Sequence, residues 1–255
     1  MVKLGGRSQL EICVDSVESA REAAAGGADR LELCGNLIIG GTSPDPNLLK
    51  AIRHETDIPV FCMVRPRFGD FLYTEDEYQI CLDDVRMYRE LGADGIVIGI
   101  LKPDGTLDAD RIRGLIEEAG GMGVTLHRCF DLVKDPAAAL EKAVDLGIDI
   151  ILTSGGKQTA PEGTGLLRKL QGQAAGRILI QAGSGVNAGN IPGLYRETGI
   201  RSFHMSGKRI LESGMQYRKE GVSMGLPSLS EYLIDRTDRK KVRQARETLD
   251  ALDRE

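Results

Sequence analysis

Residues 10–34 read LEICVDSVESAREAAAGGADRLELC, two short alternating stretches on either side of an alanine-rich segment. In the first, Leu10, Ile12 and Val14 alternate with Glu11, Cys13 and Asp15; in the second, Leu31 and Leu33 alternate with Glu32 and Cys34. Strand side chains point to opposite faces with period two. Glu11 therefore shares a face with Cys13, and Glu32 shares a face with Cys34. A strand–helix–strand order implies parallel neighbours joined by a right-handed crossover. With the apolar face turned to the helices, the carboxylates and thiols face the other way, which in a closed barrel is the lumen. Burying such groups together is costly unless something uses or pairs them.

Working outward, one short pattern recurs. Gly27-Ala28-Asp29 precedes RLEL, Gly92-Ala93-Asp94 precedes GIVI, Gly147-Ile148-Asp149 precedes IILT, and a degenerate Gly199-Ile200-Arg201 precedes SFHM. A helix-ending glycine that feeds a strand is ordinary αβ-loop chemistry, and the repeats imply four (βα)₂ units. The intervening strands are expected at Pro59–Val64, Gly123–His127 and Arg177–Gln181, and helices at Thr74–Leu91, Asp108–Gly120, Pro136–Leu146 and Gly165–Ala175. Eight strands alternating with helices predict an α/β fold, a (β/α)8 TIM barrel with a closed, parallel, eight-stranded sheet. An open doubly wound sheet is the alternative. The length of 255 residues fits a single domain over residues 1–255. The glycine-rich residues 206–228 are expected to lie over one barrel end. Two helical stretches follow, Leu229–Ile234 and Thr237–Leu252, the second an extra C-terminal helix outside the barrel. Asp15 with Glu18 reads as a capping box for the first helix.

Composition narrows the function classes. The chain carries 33 basic and 38 acidic residues, a net charge of -5, which gives no footprint for nucleic acid or an anionic membrane. No apolar run approaches a membrane span, and the N-terminus lacks the apolar core of a signal peptide. Five cysteines without disulfide-like spacing imply a reduced, cytoplasmic protein. Cys62 and Cys81 read as core residues, and His54 as a surface helix residue.

In barrels of this kind, reactive groups sit where strands end and βα loops begin. Strand 1 delivers Glu11, Cys13 and Asp15; strand 2 delivers Glu32 and Cys34; strand 3 runs into Arg65. Strand 5 delivers His127, then Cys129 and Asp131, and strand 8 delivers His204. Glu11, Glu32, Arg65, His127 and Asp131 are the candidate catalytic residues. A lumen glutamate that merely pairs with Arg65 or His127 is the structural alternative. Gly183-Ser184-Gly185 after strand 7 and Ser206-Gly207 after strand 8 fit either an anion site built from backbone N–H groups or a plain tight turn. Cys13 and Cys34 end adjacent strands, about 5 Å apart across a sheet. Two thiolates at that distance suit a soft ion such as Cu(I), while zinc would want further ligands from Glu11, Glu32 or His127.

Six stretches together carry a family resemblance: LEICVDSVESA, GGADRLELC, RPRFGDFLY (Arg65–Tyr73), HRCFD (His127–Asp131), LTSGG (Leu152–Gly156) and SGMQYRKEGVSMG (Ser213–Gly225). They resemble the CutC family, named for copper homeostasis. The resemblance implies a cytoplasmic (β/α)8 barrel that forms a homo-oligomer, often a dimer. It implies Cu(I) binding through Cys13 and Cys34, and a shared pocket of Glu11, Glu32, Arg65, His127 and Asp131. The alternative is a lyase, isomerase or epimerase acting on a small anionic or phosphorylated substrate, with copper incidental. In that reading Arg65 and the loops after strands 7 and 8 bind the anion, and His127 with Glu11 or Glu32 serve as acid and base. A third reading, an interaction role for the tail helix, uses none of the pocket residues.

Overall fold

In the computed structural model, which describes residues 6–226 and 229–255, eight parallel strands close into a barrel in sequence order. They are β1 (Gln9–Val14), β2 (Arg30–Leu33), β3 (Val60–Met63), β4 (Gly95–Ile98), β5 (Gly123–Leu126), β6 (Ile150–Thr153), β7 (Leu179–Ala182) and β8 (Ser202–Met205). The surrounding helices are α1 (Val17–Gly26), α2 (Pro46–Arg53), α3 (Glu75–Glu90), α4 (Ala109–Ala119), α5 (Pro136–Asp145), α6 (Thr164–Ala174), α7 (Ile191–Thr198) and α8 (Arg239–Leu252). Helix α8 lies outside the sheet and fills the eighth place in the ring, packed between α7 and α1.

The repeated Gly-small-Asp pattern has a structural cause beyond the turn. Asp29, Asp94 and Asp149 each accept a backbone N–H from the first or second residue of the preceding strand: Leu10 at 2.7 Å, Val60 at 2.8 Å and Val124 at 3.0 Å. One carboxylate per unit thus pins neighbouring strands in register at the floor of the barrel. In the degenerate copy, Arg201 replaces the aspartate and reaches Asp253 at 2.7 Å, tying β8 to the end of α8.

Two apolar layers follow from the period-two alternation. Leu10, Ile12, Val14, Leu31 and Leu33 pack outward against the helices. Phe61, Met63, Val97 and Ile150 fill the lumen and pack together with Cys34. The Phe61 ring occupies the space that side chains on β4 and β5 would take: a Cβ at Gly95 or Gly123 would lie 2.6 or 2.5 Å from it. Arg30 lies over the same ring at 4.4 Å.

Two local expectations are corrected. The cap of α1 is Ser16, whose hydroxyl accepts from Ser19 N at 3.2 Å, and not Asp15 with Glu18. Strand alternation carries Asp15 toward the upper end of the barrel, one position short of the cap. The segment Leu229–Ile234 is not a helix. Leu233 and Ile234 open β10 (Leu233–Thr237), which pairs antiparallel with β9 (Lys208–Glu212). A neighbouring strand satisfies the backbone there, a partner that local propensity does not reveal. The two-stranded ribbon occupies part of the stretch expected to lie over the barrel end. Residues 227 and 228, within the expected 206–228 cover, lie outside the described residues. No helix among the described residues is long and apolar enough to cross a membrane.

Candidate functional site

One half of the lumen is polar and centred on Glu11. Its register partners on both sides are its side-chain partners: Arg30 on β2 and His204 on β8. Glu11 is fully buried; its Oε2 accepts from Arg30 Nε, and its Oε1 lies 2.7 Å from His204 Nδ1. The Gln181 amide, oriented with its nitrogen toward Glu11 Oε1 at 3.1 Å, accepts from Ser202 Oγ and Arg30 Nη2, each at 3.2 Å. Burial by itself would push the Glu11 carboxyl up, but the Arg30 charge and the His204 contact bring it down to about 2. Burial would likewise lower His204, yet Glu32, Cys13 and Glu11 hold its imidazole well above its ordinary range. His204 therefore sits between the carboxyl groups of Glu11 and Glu32, which favour its protonated form.

Glu32 is the less satisfied of those carboxylates. Burial raises its pKa, and His204 offsets this only in part. Its Oε1 accepts from the Cys34 thiol at 3.4 Å, and its Oε2 lies 3.8 Å from His204 Nδ1. Cys34 is fully buried, and burial together with the Glu32 charge pushes its thiol well up. Cys13 is half-buried and lines a cavity of about 590 Å³ at the upper end of the barrel, shared with Asp15, Ser206 and the ribbon residues Ile210 and Ile234.

The remaining candidates sit elsewhere. Arg65 is buried, but it pairs with no lumen glutamate: it donates to the carbonyls of Gly41 at 2.8 Å and Gly69 at 3.0 Å, with its guanidinium 5.1 Å from the Phe71 ring centre. It lies past the end of β3, where loop carbonyls are in reach, whereas Arg30 lies deeper, level with Glu11. The structural alternative of a lumen glutamate paired with Arg65 or His127 is not what Glu11 does: its partners are Arg30 and His204. His127 accepts from Cys129 N at 3.1 Å and packs 4.8 Å from the Phe71 ring. Burial and the Arg65 charge push it down to about 3, so its imidazole is neutral. The ring has room only because position 99 is glycine; a Cβ there would lie 2.5 Å from it and 2.2 Å from Cys129 Sγ. Asp131 accepts from Thr153 Oγ1, Ser154 N, Gly156 N and Arg128 Nε, which ties the loops after β5 and β6 together.

After β7, Ser184 has φ +73, donates its hydroxyl to Gln158 O at 2.8 Å and accepts from Ala160 N at 2.9 Å. Among the described residues, the N–H groups of Ser184, Gly185 and Val186 have no protein acceptor. Ser206 lines the cavity and Gly207 turns the chain into β9 with φ +56.

The structure thus gathers Glu11, Glu32, Cys13, Cys34 and His204 on the β8–β1–β2 side. Arg65 follows β3, the neighbour of β2, and binds the loop after β2, while His127 and Asp131 follow β5 on the far side of the barrel. Arg30 and Gln181 were missed by sequence reasoning. Arg30 carried a usable signal, since period two places it on the same face as Glu32 and Cys34.

Residues 8–209 match the model of the CutC family. The chain belongs to the CutC family. It is 44% identical over 235 residues to the human copper homeostasis protein cutC homolog, covering 92% of this chain and 86% of that protein. It is 44% identical over 241 residues to a CutC family protein of Chromobacterium violaceum, covering 94% and 98%. The CutC structure from Streptococcus agalactiae superimposes with a TM-score of 0.75 at 30% identity, covering 78% of this chain and 98% of that one. This chain therefore shares its fold with that CutC structure.

Proposed function

We propose that this chain handles copper, binding Cu(I) as cargo through Cys13 and Cys34 at the upper end of the barrel. The observation that carries this reading is the placement of two free thiols on the lumen side of adjacent strands, one of them bordering a cavity. Thiolate pairs suit Cu(I), and relatives of this chain are named for copper homeostasis. The reading includes a reducing cytoplasmic setting, consistent with five free cysteines. It also includes a homodimer, for which the exposed apolar residues Tyr217 and Met224 offer surface. Because burial and Glu32 keep the proton on Cys34, Cu(I) uptake releases protons, and apparent affinity rises with pH. Anaerobic competition titration against a Cu(I) chelator tests this. A stoichiometric site is expected in the wild type and lost in Cys13→Ser/Cys34→Ser. Equal binding by the double variant would overturn the assignment.

A second reading, a lyase, isomerase or epimerase of a small anionic substrate, rests on the unengaged N–H groups of residues 184–186 and the cavity residue Ser206. Backbone N–H groups of this kind favour phosphate. Inorganic phosphate is expected to raise the melting temperature by linkage. A melting temperature indifferent to phosphate and to phosphorylated sugars would remove this reading.

A further inference from the structure

Neither reading above uses Glu11, Glu32 and His204 together. Their donor atoms, two carboxylate oxygens and an imidazole nitrogen, lie within 4.8 Å of one another. Strand register puts them there, since Glu11 stands opposite His204 and Cys13 stands opposite Glu32. A second observation points to a ligand. Glu32 is 3% exposed, and its Oε2, on the His204 side, has no hydrogen-bond partner. Buried carboxylate oxygens are normally satisfied, and a cation at this point would satisfy it. Arg30 and Gln181 hold the Glu11 carboxylate from behind, as groups behind a metal ligand commonly do.

We propose that Glu11, Glu32 and His204 form a binding site for a divalent cation such as Mn²⁺, Fe²⁺, Co²⁺ or Zn²⁺. The site is separate in donor chemistry from the Cys13–Cys34 pair. Carboxylate and imidazole donors suit divalent ions of this class, whereas paired thiolates suit Cu(I). The charges agree. Once the imidazole gives up its proton, two carboxylates against Arg30 leave one negative charge, and a divalent ion enters where Glu11 Oε1 and His204 Nδ1 now share a hydrogen. The His204 side chain is 12% exposed, and Cys13, two residues above Glu11 on β1, lines the cavity, so an ion reaches the donors from that side. The competing account is that the His204 cation bridges the two carboxylates and nothing else binds.

Manganese separates the two accounts, because it favours oxygen and nitrogen donors over thiolates. Mn²⁺ is titrated into the metal-free full chain, and the free ion is followed by its electron paramagnetic resonance signal. One ion per chain is expected in the wild type and in Cys13→Ser/Cys34→Ser. Binding is expected to weaken at least tenfold in Glu32→Gln and in His204→Asn, with Glu32→Asp intermediate. Co²⁺ in the wild type is expected to show ligand-field bands without a thiolate charge-transfer band, a readout independent of whether any variant folds. The proposal is overturned if the wild type leaves Mn²⁺ free, if a folded Glu32→Gln binds like the wild type, if the cysteine variant loses the site, or if the Co²⁺ spectrum shows thiolate ligation. Failure of Cu(I) binding would leave these outcomes unaffected, since they depend on different side chains.

Discussion

Replacing Arg30 with methionine is expected to lower the free energy of unfolding by about 3–5 kcal/mol, the usual cost of removing one partner of a buried ion pair. Glu11 is fully buried and Arg30 is 2% exposed, so no water replaces the lost guanidinium. The variant also loses the stacking of Arg30 on Phe61. The deficit depends on pH with a definite sign. The folded-state pKa of Glu11 is depressed to about 2 from its ordinary 4.5. Its contribution is therefore present above pH 4.5 and is lost as pH falls through the folded value. In Arg30→Met that contribution is gone from the start, so the gap to the wild type narrows on acidification. Urea unfolding of the wild type and Arg30→Met at neutral and acidic pH measures both effects. The double variant Arg30→Met/Glu11→Leu is expected to recover most of the stability, because an apolar replacement of a whole buried pair is often neutral. A single variant within about 1 kcal/mol of the wild type, against the cost expected for such pairs, would mean that this pair does not organise the lumen.

Asp131→Ala is the second large effect, at about 3–4 kcal/mol, given that hydrogen bonds to a charged group are worth about 1.5–3 kcal/mol and do not add fully. Its two oxygens accept Thr153 Oγ1 at 2.5 Å, Ser154 N at 3.1 Å, Gly156 N at 3.0 Å, Arg128 Nε at 2.8 Å and Ser154 Oγ at 2.9 Å. Alanine leaves these donors without an acceptor inside two packed loops, apart from the Ser154 hydroxyl, which also reaches Lys157 O. Asp131 reads here as the clamp between the β5 and β6 loops, so the variant is expected to unfold more easily while its folded fraction still binds Cu(I) with wild-type stoichiometry. Thermal unfolding together with the chelator titration checks both parts. Wild-type stability would remove the clamp, and loss of the copper site in folded protein would make Asp131 part of it.

The barrel was legible because its signals are local. The period-two alternation in 10–14 and 30–34, the recurring Gly-small-Asp and the strand–helix spacing each depend on neighbours along the chain. The same alternation suffices to place Glu11, Cys13, Glu32 and Cys34 on the lumen side. The helix expected at Leu229–Ile234 failed for the converse reason. Its last two residues pair with β9 across a long connection, a tertiary choice that overrides local propensity.

The sequence by itself determined which residue types face the lumen and which end of the barrel carries them. Only the tertiary structure decided who pairs with whom. Glu11 chose Arg30 over Arg65 because barrel register sets Arg30 beside it, while Arg65 rises past β3 to loop carbonyls. His204 reached Glu11 only because β8 closes on β1, a contact spanning 193 residues of chain. Side-chain direction follows from one strand, whereas pairing in a closed barrel follows from the relative shift of all eight.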